Sequence, residues 1–254
     1  MFVRTESFKE FIRFYPIVSA LVIIHFVLWL LISVLHFGFA VQLYQQGLGV
    51  NLLISQGEYW RLITPVFLHA GFAHALFNSF SLVLFGPALE QMLGKTKFIL
   101  LYLFAGFAGN LGTYIASPES YTAHLGASGA IFGLFGVYIF MVFFRKHLID
   151  QANAQIITVI FILGAVMTFL QANINVLGHI FGFLGGLAAA PIVLRNVQGF
   201  SLSQIRSRSS SPGGFSFNPN RHSRRNRSLK TAGRYLFWGL IIFLVAIYVF
   251  SNFL

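Results

Sequence analysis

Hydrophobic residues make up 57% of the 254 positions and charged residues 9%, whereas a soluble domain carries about 25% charged residues. This composition excludes a water-soluble globular chain, and the absence of cysteine excludes disulfides, thiol catalysis and thiolate metal sites. A formal charge of +11 could suggest nucleic acid, but the placement of the basic residues points to a membrane instead.

Seven apolar stretches are long enough to cross a hydrocarbon core of ~30 Å, which needs about 20 helical residues. They lie near 17–36, 74–93, 98–117, 127–144, 155–171, 177–194 and 235–254. No small-x-small cleavage site follows the first, which reads as a retained anchor and not a signal peptide. With residues 1–16 in the cytoplasm, every basic side chain except Arg61 falls on the inner side of these spans. Basic residues held inside are the orienting signal of helical membrane proteins. The expected architecture is therefore an all-α polytopic membrane protein, with six spans over 17–194, a seventh C-terminal span at 235–254, and the C-terminus outside.

Between the first two spans, residues 37–73 form a long outer loop. It mixes apolar runs with Gly47, Gly49, Gly57, Trp60 and Arg61. A half-submerged, partly helical insertion is expected, because non-helical backbone at membrane depth must be sheltered by protein. The linker 195–234 is rich in Ser, Arg, Asn and Gly, with nine basic side chains and no acidic one. That composition predicts disorder. It serves to hold the seventh span's entry point inside, or to lie on anionic lipid at ~1 kcal/mol per basic residue. It implies no specific partner.

Polar residues inside a bilayer are costly and mark candidate sites. His74 and Asn78 are four apart at the start of the second span and share a helical face. Their donors suit a developing oxyanion, or an inter-helix tie that merely holds the bundle together. Gly126-Ala127-Ser128-Gly129 opens the fourth span. A serine there has unpaired backbone N–H groups beside it and the positive end of the helix dipole beneath it. The blander reading is a serine N-cap followed by packing glycines. Gly178-His179 opens the sixth span, followed by Gly182, Gly185 and Gly186, and the fourth carries Gly129, Gly133 and Gly136. Small residues at these spacings let two helix backbones approach. That approach would bring His179 against Ser128, and an imidazole within reach of a hydroxyl is the minimal activated nucleophile. All three clusters sit at the outer ends of their spans. A metal site on His69, His74 and His179 lacks any accompanying carboxylate or thiolate, so none is expected.

These residues resemble the rhomboid family of intramembrane serine proteases, over about residues 55–190. The similarity runs through Trp60-Arg61, then from Phe67-Leu68-His69-Ala70-Gly71-Phe72-Ala73-His74 to Asn78. It continues with Phe85-Gly86 and Glu90, the serine motif at Ser128, and Gly178-His179 with Gly182 and Gly186. The resemblance implies Ser128 as nucleophile and His179 as general base. It implies an oxyanion hole lined by the Ser128 backbone N–H, Asn78 and His74, and a structural role for Trp60 and Arg61 in the outer loop. Its implied substrates are other membrane proteins, cut in or near a transmembrane helix close to the outer face. Many relatives have tyrosine four residues after the nucleophile; here Phe132 keeps the ring and loses the hydroxyl. The seventh span resembles the six-plus-one form of some members.

Two other readings compete. A non-catalytic relative that binds membrane helices would lack Ser128 or His179, and both are present. A small transporter would carry acids inside its spans, whereas Glu6, Glu10, Glu58, Glu119 and Asp150 lie outside them and Glu90 sits near an inner end. The expectation is a multi-pass protease of a bacterial plasma membrane, working without a cofactor on membrane-protein substrates.

Overall fold

Helix starts and stops in this chain are set by a few side chains acting on one another's backbones. The computed structural model describes residues 1–2, 6–171 and 174–201. The expected seventh span and all of the linker past residue 201 lie outside the described residues. A reciprocal pair opens α1 (Phe8–Phe14): the Ser7 hydroxyl accepts from the Glu10 N–H, and the Glu10 carboxylate accepts from the Ser7 N–H. Pro16 then starts α2 (Pro16–Trp29), which runs on as a π-helical turn through Leu30–Val34. Its next two N–H groups, on Ile17 and Val18, donate to the two oxygens of Glu90 at 2.9 Å each. Glu90 is buried on α5 (Phe72–Leu93), so this membrane-embedded acid caps a neighbouring helix.

Residues 38–67 contain two short helices, α3 (Gly38–Gly47) and α4 (Asn51–Ser55), and two 3-10 turns, Tyr59–Leu62 and Thr64–Phe67. Both turns meet the C-terminal end of α3. Arg61 Nη1 donates to the carbonyls of Gln45 and Leu48, Trp60 Nε1 to that of Gln46, and the Thr64 hydroxyl to that of Gly47. Carbonyls at a helix end have no partner within their own helix. Glu58 holds the Arg61 guanidinium from the other side at 2.6 Å.

Gly94, at φ +80°, makes the whole turn from α5 into α6 (Lys95–Ala116). Residues 117–127 lead to α7 (Ser128–Phe144); Asp150 caps α8 (Gln151–Leu170); Asn175 caps α9 (Val176–Val193). Five of these helices, α2 with its π turn, α5, α6, α8 and α9, are long and apolar enough to cross a membrane, and α7 is apolar but only 17 residues long. The all-helical membrane expectation is met. Among the described residues the only strand-like pairing is an isolated bridge between Gly49 and His124.

The centre of the bundle is α6, α7 and α9, packed backbone to backbone. A Cβ at Gly182 would strike the Gly129 carbonyl, one at Gly186 the Gly133 carbonyl, and one at Gly136 the Phe183 carbonyl. On the α6 side, a Cβ at Gly109 would strike the Gly178 carbonyl. Toward the other end the core fills with fully buried Tyr102, Leu134, Tyr138 and Met141. The least buried of the long apolar helices is α8.

Candidate active site

Ser128 is the first residue of α7, and the capping position before it is Ala127, which has no side chain able to bond the helix N–H groups. The N-terminal N–H groups of α7 are thus left for another acceptor. Gly126 carries a φ of +123°, a backbone conformation that L side chains rarely adopt. Its N–H is anchored to the Pro65 carbonyl at 2.9 Å. A Cβ there would lie 2.7 Å from His74 Nε2 and 3.8 Å from Ser128 Oγ. His74 and Ser128 therefore both border the open flank of Gly126.

His74 and Asn78 lie on the first turns of α5. His74 Nδ1 accepts from the Ala70 N–H at 3.4 Å, a long contact that leaves Nε2 as the edge facing Gly126. One amide hydrogen of Asn78 is used within the helix, on the His74 carbonyl at 2.9 Å. The other is free to serve a second acceptor.

His179 lies in the first turn of α9, where Asn175 Oδ1 accepts from the Gly178 N–H and lies 3.0 Å from the Thr113 hydroxyl of α6, which is also 3.0 Å from the Gly109 carbonyl. Its imidazole is buried. One face stacks on the Phe132 ring, with centroids 4.2 Å apart and an interplanar angle of 15°. Phe132 is one turn along α7 from Ser128, so the same helix supplies the serine and the plate on which the histidine rests. A Cβ at Gly129 would lie 3.1 Å from the Gly178 carbonyl, a tight contact between the chain neighbours of Ser128 and His179. Among the described residues no hydrogen bond joins Ser128 to His179; the contact nearest both is that of their chain neighbours Gly129 and Gly178. Catalytic hydrogen bonds are often loose before substrate binds.

Sequence reasoning missed Thr168. Its hydroxyl lies 2.7 Å from His179 Nδ1, and the residue is 2% exposed. A threonine within an apolar span satisfies itself on its own helix, so nothing in the local pattern marks it. It also missed His25, which joins His69 and His74 in a file. His69 packs between His25, tilted against it at 4.5 Å, and His74, edge-on at 5.0 Å, while His25 Nδ1 contacts the Ser79 hydroxyl at 3.2 Å. Burial, reinforced by its two histidine neighbours, pushes the His69 imidazole far below its ordinary range, so it stays neutral. Among the described residues no group of three or more His, Cys, Asp or Glu is arranged to hold a metal ion.

All six acidic residues are accounted for elsewhere. Glu10 and Asp150 cap helices, Glu58 pairs with Arg61, and Glu90 caps α2. Glu119 is exposed in the loop before α7, and Glu6 precedes α1.

The family model for the rhomboid domain matches residues 56–196. "Putative rhomboid protease YdcA" of Bacillus subtilis is 51% identical over 187 residues, covering 73% of this chain and 92% of the relative. "Rhomboid protease GluP" of the same organism is 40% identical over 144 residues, 57% of this chain and 28% of that longer protein. "Rhomboid-type serine protease 2" of Emericella nidulans is 31% identical over 144 residues, 55% of this chain and 28% of the relative.

Proposed function

Because the chain belongs to the rhomboid family of intramembrane proteases, we propose that it hydrolyses peptide bonds of other membrane proteins with Ser128 as nucleophile and His179 as general base. The observation that carries this reading is the shared helix α7. It holds Ser128 at its N-terminus and, one turn on, Phe132 against the His179 ring. In the reaction, His179 takes the Ser128 proton as Oγ attacks the substrate carbonyl. The oxyanion forms beside the unpaired N–H groups at the start of α7, with the free Asn78 amide hydrogen and His74 Nε2 as further donors. Since His74 Nδ1 accepts from a backbone N–H, the hydrogen of its neutral ring is on Nε2, the edge that faces Gly126. Collapse of the intermediate passes the proton from His179 to the leaving amine, and water then releases the acyl group from Ser128 by the same steps.

The length of α7 supports a site within the membrane. Its 17 residues span about 26 Å, short of the ~30 Å hydrocarbon core. A helix of that length placed upright leaves at least one of its ends within the hydrocarbon. With the N-terminus cytoplasmic, as the basic residues argue, the Ser128 end faces outward and cleavage falls near the outer face. A substrate helix must unwind there, because a helical peptide keeps its carbonyls bonded. The test is labelling by a fluorophosphonate probe in detergent, with cleavage of a model transmembrane substrate in parallel. Wild type should label and cleave; Ser128→Ala should do neither, and His179→Ala should not cleave. Cleavage by folded Ser128→Ala would overturn the reading.

A further inference from the structure

We propose that Thr168 is a positioning residue that fixes the tautomer of His179, a role that rests on the Ser128–His179 reading above. The number of hydrogens available decides the tautomer. Thr168 Oγ1 lies 2.8 Å from the Gly164 carbonyl oxygen and 2.7 Å from His179 Nδ1. A threonine hydroxyl has one hydrogen, and a carbonyl oxygen can only accept. If that hydrogen points at Nδ1, the hydroxyl and carbonyl oxygens face each other at 2.8 Å with no proton between them. Both contacts are hydrogen bonds only if the hydroxyl donates to Gly164 and Oγ1 accepts from an Nδ1–H. The proton of the neutral imidazole is then on Nδ1, and Nε2 keeps its lone pair, the form a general base must have to accept the serine proton.

The surroundings leave little alternative. Thr168 is 2% exposed and His179 8%, so water does not replace a lost partner, and an unpaired buried N–H is costly. A buried threonine bonding the carbonyl four residues back is common in apolar helices. That habit explains the Gly164 contact and leaves the 2.7 Å approach to Nδ1 unexplained. Gly164 itself faces Phe132, since a Cβ there would stand 3.5 Å from the ring tip. Phe132 thus fixes the plane of the imidazole and Thr168 fixes its edge. No acidic side chain holds Nδ1, because all six are placed elsewhere in the structure. The span that supplies Thr168, α8, is also the least buried of the long helices.

The full chain is assayed in detergent with a model transmembrane substrate, as wild type, Thr168→Val and Thr168→Ser. Valine keeps the shape and removes the hydroxyl. It should lower kcat about ten- to a hundredfold with KM unchanged, and serine should restore most of the loss. Imidazole ¹⁵N spectra of histidine-labelled protein, with His179 assigned from a His179→Gln sample, report the tautomer directly. Wild type and Thr168→Ser should show His179 protonated on Nδ1, and Thr168→Val should lose that preference. A wild-type spectrum with the proton on Nε2 overturns the proposal, even if the valine variant fails to fold. So does a folded Thr168→Val with wild-type kcat. Cleavage retained by Ser128→Ala or His179→Ala would instead sink the dyad, an outcome separate from a silent Thr168→Val beside two inactive controls.

Discussion

Phe132 stacks face to face on His179, its ring centroid 4.2 Å from the imidazole and its plane tilted by 15°. No acid stands behind the histidine, so its orientation depends on packing and on the Thr168 hydroxyl. Phe132→Tyr should cleave within about threefold of wild type, because the ring is kept. Phe132→Ala removes the plate and a buried aromatic worth about 3–5 kcal/mol. It should lower both the melting temperature and kcat, the latter by about a hundredfold. A folded Phe132→Ala with wild-type kcat would show that stacking plays no part.

Gly126 is required twice, by its φ of +123° and by the His74 ring 2.7 Å from its missing Cβ. Gly126→Ala should cost at least about a hundredfold in cleavage. Gly71→Ala is the control: that residue is extended, at φ −173°, and a Cβ there meets nothing within 4 Å. It should remain within about threefold of wild type.

The glycines between α7 and α9 face backbone, which cannot move aside as a flexible side chain can. Gly182→Ala and Gly186→Ala should each lower the melting temperature sharply, since the added carbon strikes the Gly129 or Gly133 carbonyl. Gly164→Ala, whose Cβ meets only the edge of Phe132 at 3.5 Å, should melt near wild type. Equal melting of all three variants would contradict this packing.

Catalysis should need no carboxylate. Glu58→Gln and Glu119→Gln should cleave within about tenfold of wild type. Glu90→Gln keeps one of the two acceptors that hold the Ile17 and Val18 N–H groups, so it should melt lower while retaining kcat within the same range. Loss of orientation by the acid of a Ser-His-Asp triad costs about 10⁴. A folded variant falling about a thousandfold or more would reveal a third catalytic member.

His124, in the loop before α7, is held to about 4 by burial, opposed only by a hydrogen bond to the Thr122 backbone. The depressed value means that the unfolded chain binds the proton more readily than the native one. The stability tied to the neutral ring is full above pH 6.5 and is lost as pH falls toward 4, by up to about 3 kcal/mol. Melting in detergent at about pH 7.5 and about pH 4.5 should show a smaller drop for His124→Gln than for wild type. An equal drop would remove His124 from the acid sensitivity.

The helical membrane architecture was legible in the sequence because its causes are local. Hydrocarbon thickness demands about 20 apolar residues per span, and the helices at Phe72–Leu93, Lys95–Ala116 and Val176–Val193 begin and end within a few residues of their apolar stretches. Ser128, His179, His74 and Asn78 stand out in the sequence because they interrupt such stretches. How they are held depends on contacts between distant segments. Thr168 is an ordinary threonine in an apolar run until α8 meets α9 and its hydroxyl reaches Nδ1. Glu90 becomes a helix cap only when α2 starts beside it. His25 and His124 carry no pattern of their own, and gain meaning from His69 and from Gly49, partners distant in the chain. Hydrophobic period and charge placement are properties of neighbouring residues. A hydrogen bond's partner and a glycine's forbidden Cβ depend on which backbones end up in contact, and only the folded chain brings those together.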